Sequence, residues 1–242
     1  MRVGVVSDIH GNLTALEAVV EGLRDDRPDL VVQAGDLVVS GPRPAEVLDR
    51  VRTLGWANVI GNTDEMLWNE SVRSEQEARA PKLTDWLTVL FDTLAPWAKE
   101  RLGNERLGWL RTLPAEFRVA GTVVMHASPG NLWRAPMPDA SDAELLETYG
   151  GLGASVIVYG HVHRPFVRAL DGLTVVNSGS VGLPYDGDWR PSYALIVDGS
   201  EPIVRRVEYD RDAEERATRD AAFPLGTWLS DVRHQGRFSR PR

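Results

Sequence analysis

Five short polar clusters in this chain each follow an apolar run that predicts a buried strand. Histidine is scarce, with five residues in all, and four of the five lie in three of these clusters. Imidazole, carboxylate and amide groups that converge from several strand ends are a typical ligand set of a divalent metal centre. The clusters therefore predict a metal site with enough ligands for two ions, and its candidate ligands are Asp8, His10, Asp36, Asn62, His126, His161 and His163.

Apolar runs alternate with helical patterns along the N-terminal quarter of the chain, which is typical of βαβ units. Residues 3–6, 30–32 and 58–60 predict strands, and helices are predicted after Asn12 and near residues 45–54. In open α/β sheets, ligands bind at the carboxyl ends of the strands. Since each polar cluster follows such a strand, we expect the clusters to meet at one edge of the fold.

The chain of 242 residues is long enough to form one large α/β domain. We expect a single domain over residues 1–242, with a helical insert near residues 65–116 and a C-terminal helix and tail near residues 210–242. Strand character resumes over residues 117–125 and leads to His126. The tryptophans of the insert are interpreted as core residues, and the arginine-containing tail as a loosely packed, solvated end.

Composition limits the classes of function. The formal net charge is -8, and an acidic chain is a poor nucleic-acid binder because the phosphate backbone selects basic surfaces. Cysteine is absent, which excludes thiolate catalysis and cysteine-ligated zinc. The first strand is predicted at the N-terminus with no signal peptide before it, and no apolar run reaches the roughly 18 residues of a membrane span. We therefore expect a cytoplasmic protein without a membrane partner, whereas homo-oligomer formation is left open.

The spacing of the candidate ligands along the sequence indicates how they are shared between two metal ions. Asp8 and His10 are two residues apart, so on an extended segment both side chains would leave the same face and hold one ion. His161 and His163 have the same spacing, and each can reach one ion. A carboxylate has two oxygens, which makes Asp36 the natural bridge between ions about 3.5–4 Å apart.

The ordered motifs closely resemble those of the calcineurin-like metallophosphoesterase superfamily. The five motifs occur in the family's order: D-x-H at residues 8–10, G-D at 35–36, G-N-x-D at 61–64, a lone histidine at 126, and G-H-x-H at 160–163. The stretch at residues 177–182 is also similar to the family's N-x-G-S-x-G turn. The resemblance extends from residue 1 to about residue 209, and is greatest to small bacterial and archaeal phosphodiesterase-like members.

The resemblance implies both a fold and an assignment of ligands. The fold is a four-layer αββα sandwich of the metallo-dependent phosphatase type, in the α/β class. One metal ion would be held by Asp8, His10, Asp36 and His163, and the other by Asp36, Asn62, His126 and His161. Mn²⁺ is the ion we expect to support activity, with Fe, Zn, Ni, Co and Mg as alternatives.

The implied activity is hydrolysis of a phosphoester by a hydroxide that the metal ions activate. We favour a phosphodiesterase that acts on a small phosphorylated substrate such as a nucleotide. Dinucleoside polyphosphate hydrolase, phosphomonoesterase and protein phosphatase activities are the alternatives among enzymes. A non-catalytic scaffold that retains the fold is the alternative from another class, although a scaffold would be expected to lose ligands that are all present here.

Thr63 is the main departure from the family's motifs. The family usually has a histidine at this position, which is thought to assist the leaving group or to orient the phosphate. A threonine hydroxyl is too weak an acid for that role near neutral pH. We therefore predict a preference for activated leaving groups, or a proton supplied by water or by Asp64, and we take Asn62 and Asp64 as the candidate catalytic residues.

Two further residues are candidates for substrate binding. Asn12 can either cap the helix that it precedes or contact a phosphate. Arg134 lies in the loop after His126, where its guanidinium can hold a phosphate through two hydrogen bonds or form a surface salt bridge.

Overall fold

The computed structural model describes residues 1–241, and within them ten strands form two five-stranded sheets. The strands are β1 (Arg2–Val6), β2 (Leu30–Ala34), β3 (Ala57–Val59), β4 (Glu116–Val119), β5 (Thr122–Met125), β6 (Val156–Tyr159), β7 (Phe166–Leu170), β8 (Leu173–Asn177), β9 (Ser192–Val197) and β10 (Ile203–Arg206). The first sheet has the order β10-β9-β1-β2-β3, and the second has the order β4-β5-β6-β8-β7.

Helices connect the parallel strands and form the insert and the C-terminal region. The α-helices in residues 1–241 are α1 (Leu13–Asp26), α2 (Pro44–Leu54), α3 (Asn62–Glu65), α4 (Ser71–Arg79), α5 (Thr84–Val89), α6 (Ala95–Leu110), α7 (Asp142–Tyr149), α8 (Arg211–Asp220) and α9 (Gly226–Gln235). A π-helical turn, Leu90–Leu94, joins α5 to α6, and 3-10 turns occur at Pro81–Leu83 and Gly150–Leu152. No helix within residues 1–241 is both long enough and apolar enough to cross a membrane.

Parallel pairing places the polar clusters together. Strands β1, β2 and β3 are parallel to one another, and so are β5, β6 and β8. Each strand of these sets ends at or just before a polar cluster, so the clusters meet where the carboxyl ends of the strands meet.

Aliphatic side chains fill the space between the two sheets. Val5 and Val32 of the first sheet belong to the same buried cluster as Val124, Val158 and Val176 of the second. These strands are covered on both faces, which explains why their sequences are continuously apolar rather than alternating. Helices pack on the two outer faces, so the predicted four-layer αββα sandwich is confirmed.

The segment predicted to have strand character, residues 117–125, forms most of a two-stranded hairpin. Strands β4 and β5 pair antiparallel, and the chain reverses at Ala120 and Gly121, whose φ angles are 43° and 75°. Two consecutive positive φ values are typical of a type I′ turn. The sequence did not reveal the turn, because alanine at the first turn position lacks the asparagine or aspartate signal that usually identifies such a turn.

Part of the C-terminal tail packs on the rest of the fold, so the prediction of a loosely packed, solvated end was wrong for α9. Arg237 and Arg240 are exposed, as that prediction had it, and Arg242 lies outside the described residues. In α9 the ring of Trp228 lies 5.2 Å from that of Trp86, measured between centroids, and its indole N–H donates to the carbonyl of Ser239 at 2.7 Å. Arg233, one of the arginines interpreted as solvated, is only 2% exposed and lies against Glu214 of α8. A buried carboxylate partner explains why this charge leaves the solvent.

Candidate metal centre

Four side chains form a first cluster at the carboxyl ends of β1, β2 and β6. They are all buried, and their ligand atoms lie within 4.8 Å of one another: Asp8, His10, Asp36 and His163. His163 Nε2 is 3.2 Å from Asp8 Oδ1, and His10 Nε2 is 3.7 Å from Asp36 Oδ2. The cluster therefore brings two carboxylates and two imidazoles to one point.

The outer nitrogens of the two imidazoles are fixed by backbone carbonyls. His10 Nδ1 lies 2.7 Å from the oxygen of Val39, and His163 Nδ1 lies 2.5 Å from that of Leu183. Each Nδ1–H donates to its carbonyl, which leaves the lone pair on Nε2. The two Nε2 atoms are only 3.2 Å apart. Two lone pairs at this distance repel each other unless a cation attracts both, so the arrangement fits a metal ion.

A second cluster lies beside the first and consists of Asn62, His126 and His161. His126 Nδ1 donates to the carbonyl of Ala34 at 2.9 Å, and its Nε2 is 2.8 Å from Asn62 Oδ1. His161 Nδ1 is 3.0 Å from the same amide oxygen. When His126 is neutral with its proton on Nδ1, its Nε2 lone pair and the amide oxygen face each other as two ligands of one cation would. This second set of donors also fits a cation.

Asp36 lies between the two clusters. Its Oδ2 faces His10 in the first cluster, and its Oδ1 is 3.5 Å from His126 Nε2 in the second. The backbone N–H of Thr63 donates to Oδ1 at 2.9 Å and orients the carboxylate. The structure thus brings all seven predicted ligand side chains to one place, with Asp36 in the central position.

Burial and neighbouring charges set the protonation of the site. Burial lowers the pKa of His161 to about 4, and the nearby His126 adds to this effect. Burial also lowers the pKa of His10. For Asp8, burial alone would raise the pKa, but the imidazoles around it, His163 foremost, hold the pKa below its ordinary value. An ionised carboxylate can bind metal directly, whereas an imidazole binds metal once it has lost its proton.

Five of the seven ligand residues have left-handed backbone conformations. Their φ angles are Asp8 57°, His10 48°, Asp36 59°, His161 65° and His163 55°. Such conformations cost about 1–3 kcal/mol each and concentrate at functional sites. The extended geometry assumed for the motif at residues 8–10 is therefore wrong, although both of its side chains do reach the first cluster.

Glycines allow the ligand loops to pack directly on one another. A Cβ atom on Gly160 would lie 1.8 Å from Ser7 Oγ and 2.5 Å from Asp8 Oδ2. A Cβ atom on Gly61 would lie 2.1 Å from the backbone nitrogen of Asp36. Glycine is thus required at positions 61 and 160, because a side chain there would collide with the neighbouring ligand loop.

The turn at residues 177–182 holds two ligand loops in place. Ser180 Oγ donates to the carbonyl of Asp8 at 2.8 Å, and the N–H of Gly182 donates to the same oxygen at 2.9 Å. Asn177 Nδ2 donates to the carbonyl of Gly160 at 2.6 Å. These contacts position the ligands without adding a ligand of their own.

Asp64, a candidate catalytic residue, faces the backbone rather than the cleft. Its carboxylate accepts hydrogen bonds from the N–H groups of Asp36, Leu37 and Gly61 at 2.9, 3.0 and 3.2 Å. Burial, with the charge of Asp36, raises the pKa of Asp64 to about 7. Proton supply by Asp64 stays a prediction, and the observed contacts favour a positioning role.

The two candidate substrate-binding residues lie outside the clusters. Asn12 is fully buried, and its Oδ1 accepts from the N–H of Ala15 at 3.0 Å, so it caps α1. Arg134 is exposed and lines a separate cavity with Glu144 and Glu147. The loop that carries Arg134 does approach the clusters, but through Trp133. Neither predicted substrate contact has geometric support.

A cleft of about 250 Å³ opens in front of the two clusters. Its floor includes His10, Asp36, Asn62 and Thr63, and its walls carry four aromatic side chains, which are Trp86, Trp133, Tyr185 and Phe238. Our interpretation of the tryptophans as core residues is incomplete for Trp86, which packs on Trp228 and also lines the cleft. The individual aromatic residues of the walls were not identified from the sequence, because they are far apart in it and follow no common period.

Comparison with known proteins identifies the family. The profile of the calcineurin-like phosphoesterase superfamily domain matches residues 1–199. Protein MJ0912 from Methanocaldococcus jannaschii is 30% identical over 97% of this chain and 98% of its own length. Phosphodiesterase YfcE from Escherichia coli K12 is 26% identical over 81% of this chain and 87% of its own. The crystal structure of a metallophosphoesterase from Sphaerobacter thermophilus superposes with a TM-score of 0.78 at 26% identity, covering 98% of this chain and 99% of the other.

The chain belongs to the calcineurin-like phosphoesterase superfamily. It is accordingly a metal-dependent hydrolase of phosphoric esters.

Proposed function

We propose that the protein is a phosphodiesterase that works with two divalent metal ions. One ion would be held by Asp8, His10, Asp36 and His163, and the other by Asp36, Asn62, His126 and His161. The observation that carries this proposal is the position of Asp36, because its Oδ2 is 3.7 Å from His10 Nε2 and its Oδ1 is 3.5 Å from His126 Nε2. A bridging carboxylate is the arrangement expected for a dinuclear site.

Bound divalent ions supply Lewis acidity, lower the pKa of water and stabilise charge on phosphoryl oxygens. The chain supplies four imidazoles, two carboxylates and one amide oxygen. Two divalent ions carry +4 and the two aspartates remove 2, which leaves roughly +2 to attract an anionic substrate. The site therefore favours a phosphoester despite the acidic composition of the chain. We propose Mn²⁺ as the working ion, since it suits oxygen and imidazole ligands.

The chemistry of the cleft supports a phosphodiester over a polyphosphate. Within residues 1–241, the side chains that line the cleft include no lysine and no arginine. A diester carries one negative charge, whereas a dinucleoside polyphosphate needs cations along its whole phosphate chain. The similarity to a protein named phosphodiesterase agrees with this choice.

We expect the purified protein to contain about two Mn²⁺ ions per chain after reconstitution and to hydrolyse bis-p-nitrophenyl phosphate. Elemental analysis and release of p-nitrophenol measure the two quantities on the same sample. Stripping with EDTA should abolish hydrolysis, and Mn²⁺ should restore it. Bound metal with no hydrolysis would instead favour the scaffold alternative.

Thr63→His should increase hydrolysis of esters with poor leaving groups. Thr63 lines the cleft, so a longer side chain at this position is expected to extend into it, towards the substrate. An imidazole there can act as a general acid, a contribution of about 10²-fold or more. The expected result is a gain in kcat/KM for adenosine 2′,3′-cyclic phosphate, with little change for bis-p-nitrophenyl phosphate.

Thr63→Asn is the matched control, since its side chain has a similar size and polarity but does not act as an acid near neutral pH. Equal rates for the histidine and asparagine variants on the cyclic nucleotide would contradict the role assigned to this position.

A further inference from the structure

We infer that the aromatic walls of the cleft bind a flat, aromatic substituent of the phosphoester, and that Phe238 determines this specificity. The inference rests on the proposed function, because the phosphoryl group must lie on the cluster floor for the substituent to reach these walls. It adds a substrate class: a singly charged ester with one aromatic group.

The aromatic side chains form a continuous path from the tail to the first cluster. The ring of Tyr185 stacks on that of His163, with centroids 4.3 Å apart and planes 13° apart. Phe238 meets Tyr185 edge to face at 5.5 Å, and Trp86 at 5.4 Å. A planar group bound at the phosphoryl position would therefore lie within reach of three aromatic rings. Contacts of this kind favour aromatic over aliphatic substituents.

Trp133, another aromatic residue that lines the cleft, is held in place by its own contacts. Trp133 Nε1 donates to Glu65 Oε2 at 3.2 Å, and its ring stacks on Phe91 at a centroid distance of 6.1 Å. A side chain that is already ordered loses little conformational entropy when it contacts a ligand. Leu90, which begins the π-helical turn, also lines this part of the cleft, and such turns frequently occur at functional sites.

Size and charge restrict what fits. The cleft of about 250 Å³ lies below the range of roughly 300–1,000 Å³ that is usual for drug-sized ligands, so it suits a small substituent beside the phosphoryl group. Within residues 1–241, no lysine or arginine side chain lines the cleft, which disfavours binding of a second phosphate group. Phe238 is 39% exposed at the cleft, so part of its apolar surface is available to a bound ring.

The test compares two singly charged ligands that differ by one ring, the monomethyl esters of phenylphosphonic acid and of methylphosphonic acid. Calorimetry on the Mn²⁺-loaded protein should give roughly 10- to 100-fold tighter binding of the phenyl ester, the size of effect that stacking on aromatic side chains produces. Phe238→Ala should reduce this ratio to a few-fold. Leu83→Gln, at a second exposed position in the cleft wall, should reduce the ratio in the same direction.

Trp189→Ala is the control, because Trp189 packs on Tyr209 and is not part of the cleft wall. Its phenyl-to-methyl ratio should equal that of the unchanged protein. Equal binding of the two esters by the unchanged protein, or a ratio unaffected by both cleft variants, would overturn the inference. If bis-p-nitrophenyl phosphate is still hydrolysed in that case, the proposed function stands. Absence of hydrolysis together with absence of binding of either ester would overturn both.

Discussion

Asp36→Asn is expected to release metal from both halves of the site, whereas His126→Ala should affect mainly one. The two oxygens of Asp36 face different clusters, at 3.7 Å from His10 Nε2 and 3.5 Å from His126 Nε2. Asparagine keeps one oxygen but places an NH₂ group where the other oxygen faced a cation, and it also removes one negative charge. His126, by contrast, lies against Asn62 in the second cluster only.

Elemental analysis after reconstitution with Mn²⁺ measures this difference directly. We expect close to no bound metal for Asp36→Asn and about one ion per chain for His126→Ala. The activity of Asp36→Asn should fall well beyond the roughly 10- to 100-fold that changes around a ligand cause. Asp49→Asn is the control, since Asp49 pairs with Arg106 at the surface. Retention of about one ion by Asp36→Asn would show that this carboxylate does not bridge.

The second large effect concerns stability and lies away from the metal centre. Glu214 is fully buried, with Arg233 Nη2 3.3 Å from its Oε1, the hydroxyl of Thr14 donating to Oε2 at 2.7 Å, and Arg43 donating to the same oxygen. Removing one partner of a buried ion pair leaves the other charge uncompensated, which costs about 3–5 kcal/mol. Glu214→Ala should lower the free energy of unfolding by this amount, because Arg233 is itself buried.

Urea denaturation followed by circular dichroism measures the change. Glu17→Ala is a matched control that removes a carboxylate from a surface pair with Arg50, and it should cost at most about 1 kcal/mol. Replacing Glu214 by Leu and Arg233 by Met in one variant should recover part of the lost free energy of unfolding, since position 233 then carries no unpaired charge. A loss for Glu214→Ala no larger than that of the control would contradict this account.

The sequence predicted the floor of the site well because its information is local. Each ligand follows its own strand by a few residues. Parallel pairing brings Asp8 and Asp36 together in the first sheet and His126 and His161 together in the second, and the packing of the two sheets then joins these sets. The backbone conformation was not predictable in the same way. Spacing in the motif at residues 8–10 suggested an extended segment, but hydrogen bonds from the neighbouring loop, such as the N–H of Asp8 donating to Gly35 at 3.0 Å, hold it in a left-handed conformation.

The walls of the cleft were not predictable because they depend on packing between distant segments. Trp86, Tyr185 and Phe238 come from the insert, from a loop near the second sheet and from the tail, and no periodic pattern relates them. The same holds for Glu214 and Arg43, which are 171 residues apart. Likewise, nothing in the sequence around Arg233 indicates that this arginine pairs with a buried carboxylate of another helix.

The left-handed ligand residues have a practical consequence for identifying the native cation. Their conformations are held by the surrounding chain, so the empty loops should keep their shape when chelators remove the ions. Crystals of the apoprotein could then be soaked with one cation after another, and anomalous scattering at each absorption edge would rank the occupancy of the two positions within a single lattice.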